Sequence, residues 1–466
     1  MPDIFKFFFK PRSVAIMGAS KTPGKAGNEI LVNMVANGYA GKIFPVNPEE
    51  EEIMGFTSYR SVNDIPEEID LAVFILPAEK TLEPLRECAK KNVPAVVIAS
   101  GGYAEVDQQG ASLQAEILAV AKASGMRIMG PNTSGLSSTP ASLTTTFFPL
   151  GKIPRGPISY IAQTGNFATH TMKWIMTGEN FGVARVAGLG NKIDLEDAEV
   201  LDYLGRDPET KAIMMYVEGF REARGFLEVA REVTKKKPVI ILKGGCTEAG
   251  AKRAFTHTAS LAVNDSLLDA AFRQAGIVRV KRYSDLINAA KGIAFQALPP
   301  GRRVSAMAPS GALGVVLADT CESLGLKMAT LSERTIKGLR EISASWVSVS
   351  NPVDMSPITP ILGRVEGYQA VVEMLLQDRS VDVVIPILLA SPSIPAERYG
   401  FLPELSSCYP QKPIYVSFTG DRQSFEQARA FLEQRSIPVF SPMEEVSETV
   451  EILCRCREAL NSGSDP

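Results

Sequence analysis

The stretch Val14-Ala15-Ile16-Met17-Gly18-Ala19-Ser20, continued by Lys21-Thr22-Pro23-Gly24-Lys25-Ala26-Gly27-Asn28, decides the fold of the first part of this chain. An apolar run ends in a glycine-rich turn, and a helix begins after it. Similar runs follow at 42–46, 71–76, 95–100 and 127–129, with helical stretches at 78–91 and 105–124. Short apolar strands that alternate with helices are typical of a parallel sheet covered on both faces. We therefore predict an α/β chain whose residues 1–140 form a Rossmann-like domain.

Two later segments repeat one another. One opens at 158–168 and the other at 304–314, each with a strand, a Thr-Gly or Ser-Gly turn and a helix start. A Lys-Pro dipeptide precedes a later apolar run in both copies. Because chance rarely gives the same order twice, we predict two flavodoxin-like parallel-sheet domains, 150–298 and 299–466, the second a degenerate repeat of the first. The Pro-, Thr- and Gly-rich segments at 137–157 and 298–303 are interpreted as linkers.

Composition excludes several classes of function. The 466 residues are 45% hydrophobic and 22% charged, with a net charge of −3, so no broad basic surface favours nucleic acid. No apolar run reaches the roughly 18 residues that span a bilayer, so no membrane partner is expected. The six cysteines include no CxxC pair, which leaves no zinc-ligand pattern and no assigned metal site. Free thiols favour a cytoplasmic location.

The loops after the strands of the first domain predict a ligand cleft, because open α/β sheets bind ligands at the carboxyl ends of their strands. The first loop is glycine-rich, contains two lysines and suits a phosphate, yet it is neither GxGxxG nor a Walker loop. NAD, another nucleotide-containing ligand and a plain structural turn remain open, and the pattern favours the second. The predicted cleft residues are Gly18, Ala19, Ser20, Lys21, Lys25, Val46, Asn47, Pro48, Pro77, Ser100, Gly101, Gly102, Glu105 and Asn132.

His257 is the candidate nucleophile. It lies in a small, polar segment that begins at Gly244-Gly245 and that only the first repeat contains. Glu218 closes an apolar strand, and a carboxylate there can fix an imidazole tautomer and leave the other nitrogen free to attack. The alternatives are a surface-loop histidine and a solvated strand-end glutamate. The other histidine, His170, is predicted to be a packed or capping residue.

A candidate anion site lies at the start of the first helix of the first repeat. Free N–H groups and the helix dipole stabilise an anion there. The alternative is an ordinary N-cap threonine. The residues of this predicted phosphate site are Gln163, Thr164, Gly165 and Asn166.

Together these motifs resemble the α subunit of ADP-forming acyl-CoA synthetases of the acetate–CoA ligase type, in the NDP-forming superfamily that includes succinyl-CoA synthetase. The resemblance covers nearly the whole chain. The motifs that carry it are the Val14-to-Ser20 stretch, Phe44-Pro45-Val46-Asn47-Pro48, Gly130-Pro131-Asn132, Gly190-Asn191-Lys192-Ile193-Asp194, Thr247-Glu248-Ala249-Gly250 and His257-Thr258-Ala259-Ser260.

The resemblance implies that the first domain binds CoA or acyl-CoA, that His257 becomes phosphohistidine, that Glu218 holds it and that the helix start at Gln163 supports the phosphate. It implies reversible conversion of acyl-CoA, ADP and phosphate into acid, CoA and ATP through an acyl phosphate. A separate ATP-grasp β subunit would bind ADP or ATP with Mg²⁺, in an α2β2 assembly.

Six residues depart from the family pattern: Glu49, Thr133, Ala162, Thr164, Cys246 and Ala259. The resemblance implies a basic residue at the position of Cys246, and the changes at Glu49 and Thr133 are expected to alter the CoA pocket. These departures motivate an alternative, a non-catalytic CoA-binding sensor or regulatory protein on the same fold. The sequence names neither the acyl group nor the direction of the reaction in the cell.

Overall fold

A computed structural model of the chain describes residues 4–247, 249–250, 252, 265–346 and 348–462. The chain divides into two compact units. The first runs to Gly178, resumes at Gly182 and ends at Arg279, whereas the second contains Glu179–Phe181 and resumes at Val280. This α/β architecture with parallel sheets confirms the predicted fold class. The residue bounds of the three domains remain a prediction.

The first sheet has five strands, all parallel. In spatial order they are Lys42–Val46, Ser13–Met17, Leu71–Phe74, Ala95–Ile98 and Arg127–Met129. Its α-helices are Phe5–Phe9, Ala26–Asn37, Leu82–Lys90 and Gln108–Ser124, with short 3-10 turns at Val62–Asp64 and Ala78–Lys80 and a small hairpin of Glu52–Ile53 and Phe56–Thr57. Because all five strands are parallel, their carboxyl ends, and the loops that follow them, lie at one edge of the sheet.

The second sheet has seven strands. In spatial order they are Val278–Val280, Val239–Lys243, Ala212–Val217, Arg155–Ala162, Val183–Gly188, Leu136–Ser138 and Leu143–Thr144. The helices between them are Gly165–Trp174 with a π-helical end at Ile175–Glu179, then Asp197–Arg206, Ala223–Thr234 and Asp265–Gln274, with a 3-10 turn at Thr139–Ala141.

The interpretation of 137–157 as a linker was wrong for its two ends. Leu136–Ser138 and Leu143–Thr144 pair antiparallel, Leu136–Ser138 also pairs with Val183–Gly188, and the strand Arg155–Ala162 begins before residue 157. The physical reason is that hydroxyl side chains satisfy one another inside the sheet. The Ser137 and Thr144 hydroxyls are 2.7 Å apart and buried. The polar composition suggested a loop, but here the hydroxyls pair inside a folded hairpin.

The third sheet belongs to the second compact unit, and its strand order repeats that of the second sheet. Its strands are, in order, Lys327–Met328, Arg303–Ala308, Val383–Ala390, Val416–Gly420 and Val439–Phe440, with Val353–Asp354 paired to Arg303–Ala308. The helices of this unit are Tyr283–Phe295, Gly311–Ser323, Glu333–Glu341, Thr359–Leu362, Arg364–Gln377, Phe401–Cys408, Arg422–Glu433 and Met443–Ser462, with a 3-10 turn at Ala396–Gly400.

The Lys-Pro dipeptides show the repeat in atomic detail. The Lys237 ammonium donates to the carbonyls of Leu204 and Asp207, 2.8 and 2.5 Å away, at the end of the helix Asp197–Arg206. In the second copy Lys412 donates in the same way to the carbonyls that end the helix Arg364–Gln377, at 2.7 and 2.6 Å. In both copies a lysine therefore satisfies helix carbonyls that would otherwise lack donors.

Apolar packing joins the first two sheets within the first unit. One buried cluster contains Ile16 of the first sheet together with Ile161 and Met215 of the second. The N-terminal helix Phe5–Phe9 adds three buried phenylalanines, and two of their rings stack on Tyr203 with centroids 5.0 and 5.1 Å apart. Each buried phenylalanine stabilises the fold by roughly 1.5–3 kcal/mol. No helix among the described residues has the length and hydropathy to cross a membrane.

Candidate active site

Glu218 directly follows the strand Ala212–Val217, where the sequence placed it. The Tyr216 hydroxyl donates to Glu218 Oε1 at 3.0 Å. Oε2 of the same carboxylate is buried and has no hydrogen-bond partner within the described part of the chain. A buried carboxylate oxygen without a donor is costly, so this atom is the natural acceptor for an incoming N–H group.

Gln163 holds the backbone beneath this carboxylate. Its side-chain oxygen accepts from the backbone N–H of Glu218 at 2.7 Å and of Gly219 at 3.1 Å, and the residue is only 4% exposed. Of the side-chain polar groups of Gln163, only the NH2 group therefore remains to meet a phosphate. The sequence predicted the phosphate role and missed this positioning role.

The helix Gly165–Trp174 begins beside Gln163. Thr164 is its N-cap residue with extended backbone, but its side chain accepts no capping hydrogen bond. This argues against the ordinary N-cap threonine, because the first-turn N–H groups are left without that partner. Gly165 lies so close to Ser134 that an added Cβ would be 2.5 Å from the Ser134 nitrogen. The side chain of Asn166 lies outside the described residues, and its predicted role stays a prediction.

His257 also lies outside the described residues. The chain that leads to it leaves the sheet beside Glu218, because an added Cβ on Gly244 would be 2.8 Å from the Tyr216 hydroxyl and 3.5 Å from Glu218 Cγ. The Lys243 ammonium donates to the Glu218 carbonyl at 2.8 Å, and burial lowers the pKa of Lys243. The segment therefore starts at the carboxylate that would hold an imidazole.

Arg279 joins the two ends of that segment. Its guanidinium donates to Cys246 Sγ at 3.1 Å on the outgoing side and to Asp265 Oδ1 at 2.6 Å on the returning side. The hydrogen bond and charge of Arg279 lower the pKa of the Asp265 carboxyl. Cys246, one of the predicted departures from the family pattern, is an exposed free thiol.

The predicted CoA-cleft residues lie around the carboxyl edge of the first sheet. Gly18 follows its first strand with φ +91°, and an added Cβ would be 2.9 Å from the Ile75 carbonyl oxygen. The Asn47 side chain donates to the Ala19 carbonyl at 2.8 Å and so ties two loops together. Lys21 pairs with Glu50 at 2.9 Å, which offsets part of the positive charge offered to a phosphate.

Other cleft residues have structural roles that the sequence did not reveal. Glu105 accepts from the backbone N–H of Gly102 at 2.8 Å and from the Asn191 side chain at 2.6 Å, so both of its oxygens are engaged. Val46 is 5% exposed and packs in the core. Lys25 is the N-cap residue of the helix Ala26–Asn37. The remaining predicted residues lie in the loops that directly follow the strands: Ser20, Pro48, Pro77, Ser100, Gly101 and Asn132.

Two loops join the predicted CoA cleft to the second sheet. The Asn191 N–H donates to the Pro131 carbonyl at 2.9 Å, and an added Cβ on Gly190, at φ +59°, would be 2.1 Å from the same oxygen. The Thr133 hydroxyl donates inward to the Gly188 carbonyl at 2.6 Å. Thr133 therefore contributes a structural hydrogen bond at a position where we expected a change to the CoA pocket.

Lys192 connects the same loop to Gly219, the residue after Glu218. Its buried ammonium donates to Asp197 Oδ2 at 2.7 Å and to the Gly219 carbonyl at 2.8 Å. A buried ion pair of this kind is strongly destabilising to break. No pattern in the sequence singled out this role, because it joins residues 27 positions apart.

His170 lies exposed on the helix Gly165–Trp174. Its ring is edge-on to that of Phe148, and the two ring centroids are 6.0 Å apart. The prediction of a packed or capping histidine was wrong, since the sixth residue of a helix cannot cap it and the side chain faces outward. All six cysteines are free, as predicted.

Two family descriptions match the chain. A CoA binding domain matches residues 12–139, and a succinyl-CoA ligase like flavodoxin domain matches residues 155–293. The chain is 36% identical, over 98% of its own length and 99% of the relative's, to the acetate–CoA ligase [ADP-forming] II subunit alpha of Pyrococcus furiosus. The chain belongs to the ADP-forming acetate–CoA ligase family.

Further comparisons extend the family assignment. The acetate–CoA ligase [ADP-forming] II of Archaeoglobus fulgidus is 38% identical over 95% of this chain, which spans only 65% of that longer protein. The structure of the dinucleotide forming acetyl-coenzyme A synthetase 1 of Ca. Korarchaeum cryptofilum, in complex with phosphate and ADP, matches with a TM-score of 0.92 and 30% identity, covering 100% of both chains. The family resemblance seen in the motifs is thereby confirmed.

Proposed function

We propose that this chain is the catalytic α subunit of an ADP-forming acyl-CoA synthetase, which interconverts acyl-CoA, ADP and phosphate with acid, CoA and ATP. Family membership and a near full-length match to a relative named subunit alpha support this proposal. The match of residues 12–139 to a CoA binding domain supports acyl-CoA as the substrate. None of the comparisons favours the non-catalytic alternative.

The observation that carries the proposal is the Glu218 carboxylate. One oxygen is held by Tyr216, and the other is buried without a partner among the described residues, beside the glycine from which the His257 segment departs. An imidazole N–H bonded to that oxygen would leave the second ring nitrogen unprotonated and able to attack phosphorus. The helix Gly165–Trp174 and Glu218 follow two adjacent parallel strands, so the helix N-terminus lies at the same edge of the sheet and can offer N–H groups to a phosphoryl anion.

The proposed reaction has three balanced steps. A phosphate oxygen attacks the thioester carbonyl of acyl-CoA, the C–S bond breaks, and CoA leaves as a thiolate that takes up a proton. The His257 nitrogen then attacks phosphorus of the acyl phosphate, and the carboxylate of the acid leaves. Finally an oxygen of the ADP β-phosphate attacks phosphohistidine, the P–N bond breaks, and ATP forms. A covalent phosphohistidine lets one side chain link two separate sites.

The third step requires a partner that we propose to be an ATP-grasp β subunit, with Mg²⁺ bound alongside ADP or ATP, in an α2β2 assembly. This chain spans 65% of the Archaeoglobus fulgidus relative, so about one third of that protein lies outside the match, which leaves room for such a part. Acetate, the acid in the names of the relatives, is the first acyl group to test. A cytoplasmic location stays a prediction.

The test uses the two histidines as a matched pair. The chain is combined with the ATP-grasp subunit, and ATP formation from acetyl-CoA, ADP and phosphate is measured. We expect His257→Ala to abolish ATP formation and His170→Ala, at an exposed position, to retain it. ATP formation by His257→Ala at the wild-type rate would exclude the phosphohistidine mechanism.

A further inference from the structure

The Tyr216 hydroxyl has a role that the reaction scheme above does not use. Tyr216 and Glu218 are two residues apart at the end of one strand, so their side chains lie on the same face of the sheet. The hydroxyl donates to Glu218 Oε1 at 3.0 Å, and the phenol ring stacks on Phe167 with centroids 4.0 Å apart and planes 13° apart. The absence of a side chain at Gly244 leaves room for the hydroxyl.

We propose that Tyr216 is a positioning residue that fixes the Glu218 carboxylate so that Oε2 alone remains open to accept a hydrogen bond from an imidazole N–H. This inference rests on the proposed function. A free carboxylate can rotate and offer either oxygen to a donor. With Oε1 engaged and the backbone of Glu218 held by Gln163, the carboxylate has one orientation and one open acceptor.

Tyr216 acts as a donor under ordinary conditions. Burial, followed by the neighbouring charge of Glu218, raises the pKa of the Tyr216 phenol well above its usual value. The hydroxyl therefore keeps its proton at neutral pH. A hydrogen bond from a neutral donor to a charged acceptor is among the stronger kinds in proteins, so its loss has a measurable effect.

The ring stack links the carboxylate to the proposed phosphate site. Phe167 is the third residue of the helix Gly165–Trp174, within the turn whose N–H groups would meet the phosphoryl group. Tyr216 thus contacts both the group that orients the nucleophile and the helix that would receive the phosphate. Misplacement of either would slow phosphoryl transfer, because that reaction depends mainly on positioning.

The test compares Tyr216→Phe with Tyr399→Phe in the full chain. Both changes remove one tyrosine hydroxyl hydrogen bond, and Tyr399 donates to the Leu389 carbonyl in the other compact unit. Phosphohistidine formation is timed with acetyl-CoA and phosphate, and separately with acetyl phosphate as the donor. We expect the rate to fall by about 10- to 100-fold in Tyr216→Phe only, with an unchanged KM for acetyl-CoA.

A nitrogen-15 spectrum supplies a readout that a merely structural role would not change. The chain has two histidines, so His170 is an internal reference for His257. In the phosphorylated chain, Tyr216→Phe should shift the ring nitrogen signals of His257 and leave those of His170 unchanged.

The outcomes separate the two claims. A wild-type chain that forms no phosphohistidine with either acetyl donor or with other acyl-CoAs, even with the ATP-grasp subunit and ATP supplied, would overturn the proposed function. A wild-type chain that forms it, with Tyr216→Phe at the same rate and with the same His257 spectrum, would overturn only the role of Tyr216. An equal loss of rate in Tyr399→Phe would also overturn that role, because the effect would then be general.

Discussion

The side-chain oxygen of Gln163 makes a strong prediction about stability. It accepts from two backbone N–H groups, that of Glu218 at 2.7 Å in a partly buried hydrogen bond and that of Gly219 at 3.1 Å in a buried one. Gln163→Met keeps the length of the side chain and removes the acceptor. Because each orphaned buried donor costs about 1–3 kcal/mol, the two together should destabilise this strand end by about 2–6 kcal/mol. The matched control is Gln377→Met, at an exposed glutamine.

Amide hydrogen exchange at Glu218 and Gly219 measures this directly. A loss of 2 kcal/mol corresponds to roughly 30-fold faster exchange at these two amides. Local exchange is the better assay, because a chain with two compact units need not unfold in one step. We expect slower phosphorylation of His257 as well, since Glu218 loses its support. Exchange within a factor of about three of the wild type would refute this positioning role for Gln163.

Two further predictions concern the loop junction and acid stability. Gly190→Ala should lower the free energy of unfolding by more than the roughly 1–2 kcal/mol expected from positive φ alone, because its Cβ would be 2.1 Å from the Pro131 carbonyl oxygen. The same variant should bind CoA more weakly when binding is measured by calorimetry. Gly125→Ala, at φ +76° with open space, isolates the φ effect. Burial raises the pKa of Asp70 and Asp382, but hydrogen bonds from their arginine partners outweigh burial and lower both. The two carboxylates therefore stabilise the folded chain above a pH of about 4, and this stabilisation is lost as the pH falls through their lowered pKa values. In denaturant titrations at several pH values, Asp70→Asn and Asp382→Asn should make the free energy of unfolding depend less on pH in the acid range. An unchanged pH dependence would contradict this.

The regular elements were largely predictable from local patterns. The strands Lys42–Val46 and Arg127–Met129 fall where their apolar runs end at turn residues. The internal repeat was visible because the Lys-Pro dipeptides keep their places, and the structure shows the two lysines making equivalent hydrogen bonds. The hairpin at Leu136–Ser138 was missed because hydroxyl-rich strands have the composition of loops.

The site was predictable in its chemistry and less so in its contacts. Glu218 was found because a charged residue closes an apolar strand. The role of Gln163 depends on two strands that are adjacent in the sheet but 55 residues apart in sequence, and no local pattern records such proximity. Tyr216 could have been found, since alternation along a strand places it on the same face as Glu218. The engagement of Glu105 by Asn191 depends on tertiary packing alone.

The most direct test of the central claim is the mass of the intact chain after incubation with acetyl-CoA, phosphate and Mg²⁺, followed by peptide mapping at neutral to alkaline pH. We expect one acid-labile phosphoryl group, located on His257 and absent from the His257→Ala variant. A chain that gains no phosphoryl group from acetyl-CoA or from other acyl-CoAs, even with the ATP-grasp subunit and ATP supplied, would contradict the account. A phosphoryl group on a residue other than His257 would also contradict it.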